Sequence, residues 1–228
     1  MLDPITQFYK KYAFNNGLVK EVIGGERYLA VLLVNGNIGV CATLGQTVTS
    51  VIPEVFDLNN AAHRILLNAY YNALFNYDPN YTEDKDIFEA VDFTKFKTIV
   101  MVGNFKPVVK RFQEANIPIF IFDKKEDEAI LQEMKNQMDF ISRADAIILT
   151  ATSIFNHSFV DLVKNSADYA SIYILGPSAL MHPDMKEYRN IKMIFGSIFE
   201  KHDERVLNVI KANLGTRYFS PFSRKVFI

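Results

Sequence analysis

The sequence has 228 residues, 49% of them hydrophobic and 22% charged, and its formal net charge is −1 at pH 7. This composition is ordinary for a globular protein and excludes disordered and fibrous chains. The near-neutral charge would not attract nucleic acid or anionic lipid, so we expect neither as a partner. Cys41 is the only cysteine, which excludes an internal disulfide and a cage of several thiolates around a metal within one chain.

No apolar run approaches the length of a membrane span, and the amino terminus lacks the basic-then-apolar order of a signal peptide. We therefore expect a cytoplasmic protein that does not enter a membrane. The chain is long enough for one large domain or two small ones, and the change in pattern along the sequence favours two.

The amino-terminal pattern predicts a small α+β domain. Apolar residues at helical spacing, with Asp3 before Pro4, predict an amphipathic helix over residues 2–14. Asn35-Gly36-Asn37 lies between two β-rich segments and predicts a hairpin. A single apolar stripe then predicts a helix that covers this antiparallel sheet. The predicted strands span residues 19–23, 28–34 and 38–43, and the covering helix spans residues 56–76.

A polar, acidic stretch at residues 76–94, interrupted by Pro79, indicates a domain boundary. We predict an α+β domain at residues 1–90 and an α/β domain at residues 91–228. Beyond the boundary strands alternate with helices, which predicts a parallel sheet with right-handed crossovers. The strand order is open between the two doubly wound arrangements. Predicted strands span 98–102, 117–122, 146–149, 172–175 and 192–195, with helices at 107–115, 125–142, 158–165 and 203–214 and an edge strand at 225–228.

Small polar residues follow the predicted strands of this second domain. Open α/β sheets bind ligands in the crevice outside the carboxyl ends of their strands, so the working site is expected there. One polar residue would suffice to cap the helix after residue 150, and the surplus hydroxyls could bind an anion at the helix N-terminus. The polar residues at these strand ends are Thr150, Thr152, Ser153, Asn156 and Ser178.

A nucleotide-binding interpretation rests on the end of the first two strands. Gly103 is the only glycine in a turn where a dinucleotide fold has three, and the side chains after it would crowd a pyrophosphate. Asp123, at the end of the second strand, occupies the position that binds a ribose in such folds. A helix cap explains Asp123 equally well, so both interpretations stay open.

Other catalytic constellations have weaker signals. Ser178 could act as a nucleophile only with a base, and neither His157 nor His182 lies at a recognisable motif spacing from it. The four histidines form no ligand pair of the His-x-x-x-His kind, so spacing within one chain does not indicate a metal site. Asn72 falls on the apolar stripe of the 56–76 helix; it could cap a neighbouring loop or face Thr152 across the crevice.

Several separate motifs, in one order along the chain, resemble the putative heavy-metal chelation family of bacterial and archaeal proteins. That family has an enolase-N-terminal-like domain followed by a Rossmann-like domain. The matching segments are Asn72-Ala73-Leu74, residues 102–107, residues 145–152 continuing to Asn156, and Gly176-Pro177-Ser178 with Pro183. At residues 150–158 the chain reads TATSIFNHS where the family more commonly has TGTTLVNGT. Ala151 and His157 thus replace glycines of the family pattern, which restricts the backbone conformations open to this turn. His157 also adds a side chain that could contact a metal or an anion.

The resemblance implies a ligand site between the two domains, completed by a second subunit in a homodimer, and a transition metal ion or a metal chelate as the ligand. The implied ligand-binding residues are Asn72, Gly103, Asn104, Thr150, Thr152, Asn156, Gly176 and Ser178, with His157 as a metal contact and Asp123 as a cofactor contact. Three hypotheses stay open: a binding protein or enzyme of the metal-chelate class, a nucleotide-dependent enzyme that uses NAD(P) or S-adenosylmethionine, and a non-catalytic subunit that presents an interaction surface.

Overall fold

The computed structural model describes residues 1–83, 85–124 and 128–228. Helix α1 (Pro4–Tyr12) begins at Asp3, whose carboxylate accepts a hydrogen bond from the Thr6 backbone amide at 3.3 Å. Three strands follow and pair antiparallel in chain order: β1 (Val19–Gly24), β2 (Tyr28–Leu33) and β3 (Ile38–Ala42). The predicted hairpin between β2 and β3 is confirmed, and Gly36 takes a φ of +92° in its turn, a conformation that favours glycine.

Helix α2 (Ala61–Phe75) covers the three-stranded sheet. It begins later than predicted because Asn60 is its N-cap, accepting hydrogen bonds from the amides of Ala62 and His63. The helix lies directly on the backbone of β3, since a Cβ added at Gly39 would lie 2.0 Å from the carbonyl oxygen of Ala69. Residues 56–60, predicted as helix, belong to the loop that precedes it.

The second half of the chain forms a seven-stranded sheet with helices on both faces. Its parallel strands are β5, β6, β7, β8 and β9; β10 is antiparallel to β9 and to β4. The elements in chain order are β4 (Thr82–Glu83), α3 (Ile87–Ala90), β5 (Ile99–Val102), α4 (Lys106–Glu114), β6 (Phe120–Phe122), α5 (Gln137–Ser142), β7 (Ala146–Thr150), α6 (Phe159–Asn165), β8 (Ser171–Leu175), β9 (Ile191–Phe199), α7 (Glu204–Lys211), α8 (Thr216–Phe219) and β10 (Ser223–Phe227).

The strand order decides between the two doubly wound arrangements. The sheet runs β4-β10-β9-β8-β7-β5-β6, so the five parallel strands, numbered in chain order, lie in the order 2-1-3-4-5. This is the flavodoxin-like order. The α/β class and the antiparallel sheet with covering helices are as predicted from the sequence.

In the second half of the chain, two elements differ most from prediction. The helix predicted over 125–142 is helical only from residue 134 onward, and residues 125–127 lie outside the described residues. Residues 128–133 are not helical because the Gln132 amide donates to the carbonyl of Ile121 at 2.8 Å, which ties this segment to β6. The tail strand β10 is not at the edge of the sheet, since β4 pairs along its outer side.

Alternate residues of the parallel strands face two apolar cores. Val100 and Val102 of β5 face one core with α5, α6, α1 and α2, whereas Ile99 and Met101 face the other with α4. The first core thus contains residues from both predicted domains, and the division at residue 90 stays a prediction. Within the described ranges, no helix is long and apolar enough to cross a membrane.

Candidate ligand site

The connections between successive strands reverse direction across the sheet between β5 and β7. The chain leaves β5 toward β6 on one side and leaves β7 toward β8 on the other, and ligands of doubly wound sheets bind in the crevice at such a switch point. Gly103 follows β5 and Thr150 ends β7. A Cβ added at Gly103 would lie 2.9 Å from the Cβ of Thr150, so the two strand ends are in close contact.

Two hydroxyl groups lie together at the end of β7. The Oγ1 atoms of Thr150 and Thr152 are 3.0 Å apart, and Thr150 Oγ1 also accepts a hydrogen bond from the Thr152 amide at 3.3 Å. Both threonines are partly exposed, whereas Ser153 is buried and donates its hydroxyl to the Thr150 carbonyl. The structure therefore leaves Thr150 and Thr152 accessible and uses Ser153 to fix the turn.

The end of β8 completes this edge of the sheet. Gly176 takes a φ of +134°, and a Cβ added there would lie 3.5 Å from the Cβ of Ala151 and 3.8 Å from the Phe105 ring. The same ring would be 3.3 Å from a Cβ at Gly103. Phe105 thus lies beside both glycines and forms an apolar wall at this edge of the sheet.

Asn104 is directed toward β6. Its backbone amide donates to Asp123 Oδ2 at 2.7 Å, and its side-chain amide donates to Glu128 Oε2 at 3.0 Å. Glu128 also pairs with Lys106 at 2.6 Å, and the lysine together with Asn104 lowers the pKa of that carboxyl. A cavity of about 420 Å³ lies on this side, lined in part by Asn104, Lys106, Lys110 and Glu128. Asp123 therefore holds the turn after β5.

Ser178 and Asn72 lie in the seam between the two halves of the chain. Ser178 Oγ accepts a hydrogen bond from the Ala42 amide at 3.0 Å, and Asn72 Nδ2 donates to the Val40 carbonyl at 3.0 Å. Both side chains are 2% exposed. Of the two alternatives for Asn72, the one that faces Thr152 is not what the structure shows, because the side-chain amide donates to β3, which packs against α2.

Asn156 and His157 shape the turn that follows Thr152. Asn156 Oδ1 accepts hydrogen bonds from the Ser158 amide at 3.0 Å and from its hydroxyl at 2.6 Å, so it stabilises the chain reversal. His157 is exposed and has a φ of +68°, so it adopts the left-handed conformation that favours glycine. Although the residue as a whole is exposed, partial desolvation of its ring and the nearby Arg64 lower the pKa of His157, which favours its neutral form.

Direct metal ligands are not gathered in the described parts of the chain. Among residues 1–83, 85–124 and 128–228, no three His, Cys, Asp or Glu side chains lie close enough to hold a metal ion. Burial raises the pKa of the Cys41 thiol, so this group stays protonated at neutral pH. The polar side-chain groups that do come together at the switch point are the hydroxyls of Thr150 and Thr152.

Sequence reasoning missed the polar residues of α2 that hold the site turns in place. Arg64 Nε donates to the Phe155 carbonyl at 2.6 Å, and Asn68 Nδ2 donates to the Ser178 carbonyl at 3.0 Å. Asn76 donates to the Ala179 carbonyl at 2.8 Å and accepts from the Met181 amide at 2.9 Å. Polar residues at every fourth position, 64, 68, 72 and 76, within an apolar helix were the available signal.

Comparison with known proteins agrees with this architecture. Residues 86–228 match the model of the DUF364 family, described as putative heavy-metal chelation. A DUF364 protein of unknown function from Pyrococcus horikoshii is 21% identical, with a TM-score of 0.79 over 99% of this chain and 98% of that one. A DUF364 protein from Desulfitobacterium hafniense DCB-2, also of unknown function, is 18% identical, with a TM-score of 0.74 over 98% and 97%. These likenesses show the shared fold. No curated protein matches the chain significantly.

Proposed function

The chain belongs to the DUF364 family, described as putative heavy-metal chelation, and from this premise we propose that it binds a metal chelate at the switch point between β5 and β7. The observation that carries the proposal is the contact between Gly103 and Thr150 at that point, with the Thr150 and Thr152 hydroxyls 3.0 Å apart. Hydroxyl groups donate hydrogen bonds to the oxygen atoms of carboxylates and related anions. They therefore suit the organic part of a chelate.

Among the remaining predicted residues, some would contact the ligand and others would stabilise the turns around it. Gly176 would allow close approach of the ligand at β8, and His157, neutral and exposed, would reach the metal from the rim. Asn104, Asn156 and Ser178 would shape the site through the turns that they stabilise. We further propose that the protein acts in the cytoplasm, has two domains divided near residue 90, and uses a second copy of the chain to complete the site.

Thermal unfolding with three additions tests the proposal: Cd²⁺ alone, citrate alone, and Cd²⁺–citrate. Binding to the native state at a hundredfold excess over Kd stabilises by about 2.7 kcal/mol. For a chain of this length that raises Tm by about 5 to 10 °C. We expect the largest rise with Cd²⁺–citrate.

Thr152→Val removes one hydroxyl at nearly constant volume and should abolish most of the rise, while the exposed Thr94→Val control should keep it. Equal shifts in the two variants, or no shift with any addition, would contradict the proposal.

A nucleotide-dependent enzyme is the second candidate, and one observation favours it. Asp123 lies at the carboxyl end of β6, next to β5, where related folds bind a ribose. Against it, Asp123 accepts the Asn104 amide, and the Phe105 ring lies beside Gly103, where a pyrophosphate would approach. Calorimetric titration with NAD, NADP and S-adenosylmethionine distinguishes the two candidates. Binding heat that is measured with the native protein and lost in Asp123→Asn would support the nucleotide-dependent enzyme over the chelate-binding protein.

A further inference from the structure

The loop between β3 and α2 joins the two turns of the proposed site. Residues 43–60 contain no helix or strand, and loops of more than about 12 to 15 such residues are uncommon unless they are functional. The loop begins next to Ala42, whose amide donates to Ser178 Oγ at 3.0 Å in the turn after β8. Near its other end, the carbonyl of Leu58 accepts a hydrogen bond from Arg64, the residue that holds Phe155 in the turn after β7.

The loop has one packed side and one bare side. Val48, Ile52 and Phe56 pack partly against the core, whereas Val51 and Val55 are 72% and 79% exposed. Two valines so exposed in one short segment have no partner in the described chain. A ligand-covering surface needs such apolar residues, because closing a site removes water from it.

Features that permit movement occur at the start of the loop. Leu44 and Gly45 both have positive φ values, +55° and +81°. Nothing lies within 4 Å of a Cβ added at Gly45, so the chain is unpacked there. Farther along, the Ser50 hydroxyl accepts from the exposed Gly24 amide at 3.1 Å, a contact that water can replace. Hinges of lids are commonly a few loop residues of this kind.

We infer that residues 44–55 form a lid that bends at Leu44–Gly45, stays fixed at Phe56, whose ring packs against Phe14, and covers the switch-point site with Val51 and Val55 when a ligand binds. The inference rests on the proposed function, because the lid closes on the chelate that occupies the site. Because the two ends of the loop are held by hydrogen bonds to the turns after β7 and β8, a movement of either turn on ligand binding should move the loop.

The chain contains no tryptophan, so one introduced tryptophan reports on the lid alone. In Val51→Trp, and in Val55→Trp as a second reporter, Cd²⁺–citrate should shift the emission to shorter wavelength. Acrylamide quenching should fall by about twofold as the lid closes over the site. Val34→Trp, 54% exposed in the turn between β2 and β3, is the matched control and should not change.

Thermal unfolding of the same samples separates the two claims. If Cd²⁺–citrate raises Tm while both loop reporters keep their emission and quenching, the lid is wrong and the proposed function stands. If Tm does not rise, the proposed function fails and the lid with it. A change in Val34→Trp as large as in Val51→Trp would also overturn the lid, since it would indicate a global effect.

Discussion

Arg64 is a fully buried charge whose partners lie in three separate parts of the chain. It binds the carboxylate of Asp3 at 2.5 Å, the carbonyl of Leu58 and the carbonyl of Phe155. Burial alone would raise the pKa of Asp3, but hydrogen bonds from Arg64 and Thr6 hold it below its ordinary value. The guanidinium thus joins α1, the loop before α2 and the turn after β7.

Replacing Arg64 by methionine should destabilise the protein by about 3 to 5 kcal/mol, because the buried carbonyl of Phe155 and the partly buried Asp3 carboxylate and Leu58 carbonyl lose their donor. The urea midpoint at pH 7 measures this. Arg143→Met is the matched control: Arg143 is exposed and pairs with Asp139 on the surface, so its loss should cost about 1 kcal/mol or less. Equal losses in the two variants would show that Arg64 is not a structural centre.

His182 predicts a dependence of stability on pH. Its ring lies between the rings of Phe8, Tyr12 and Phe75, and its Nδ1 accepts the Asp184 amide at 3.2 Å. Burial lowers its pKa, Lys11 adds to this, and Asp184 opposes it. The folded-state pKa of His182 lies below the unfolded value of about 6.5. The contribution of this histidine to the free energy of unfolding is therefore complete above pH 6.5 and is lost as pH falls toward the folded-state pKa.

The free energy of unfolding should therefore decrease between pH 7.5 and pH 5. His182→Gln, which keeps a hydrogen-bond acceptor without the titration, should show a smaller decrease. His157 shifts in the same direction, so some dependence should persist. Urea titrations at the two pH values measure the difference; identical slopes for the two proteins would argue that His182 does not titrate in this range.

Helix α2 lies in close backbone contact with its sheet at Gly39. A Cβ at Gly39 would lie 2.0 Å from the Ala69 carbonyl and 2.3 Å from the Ala73 amide, both of them backbone atoms that cannot rotate away. Gly39→Ala should push α2 off β3 and cost several kcal/mol, about 3 or more, as overpacking does at its upper range. Circular dichroism during thermal unfolding would show a large fall in Tm.

Gly45→Ala is the control for this substitution. Gly45 has a φ of +81° but nothing within 4 Å of an added Cβ, so the change adds only backbone strain. That strain is about 1 kcal/mol. A Gly39→Ala protein as stable as Gly45→Ala would show that α2 is not packed on β3 as described.

Local signals were sufficient for most elements. The Asn35–Asn37 turn, the start of α1 at Asp3 and Pro4, and the apolar stripe of α2 are each encoded within a few residues, and each is found in the structure. Residues 128–133 could not be predicted, because their backbone pairs with β6, which is a tertiary contact. Helical propensity is a weak prior against such a contact.

The candidate site also has a part that local sequence predicts and a part that depends on tertiary contacts. The positions of Gly103, Thr150 and Gly176 at strand ends follow from the alternation of strands and helices. The partners of Ser178 and Asn72 do not, because they depend on how β3 and α2 pack against the second half of the chain. Polar groups in this seam form hydrogen bonds between elements of the protein, so Ser178 Oγ and Asn72 Nδ2 are not free to bind a ligand.

At the scale of the whole molecule, one apolar core contains residues of α1, α2 and the parallel strands. Hydrogen bonds from Arg64 and Asn68 of α2, and from its C-cap residue Asn76, cross the same seam to the turns after β7 and β8. The amino-terminal half therefore does more than cover the sheet: it sets the positions of two of the three turns that meet at the switch point.

The central claim is that a metal chelate binds where Gly103 and Thr150 meet. The most direct measurement is a crystal structure of the protein with Cd²⁺–citrate, in which anomalous scattering locates the metal. We predict one strong peak at the carboxyl ends of β5 and β7, with citrate oxygens bonded to Thr150 and Thr152, and no such peak in crystals of Thr152→Val. Cadmium found only elsewhere, or equally at the switch point of both proteins, would contradict the account.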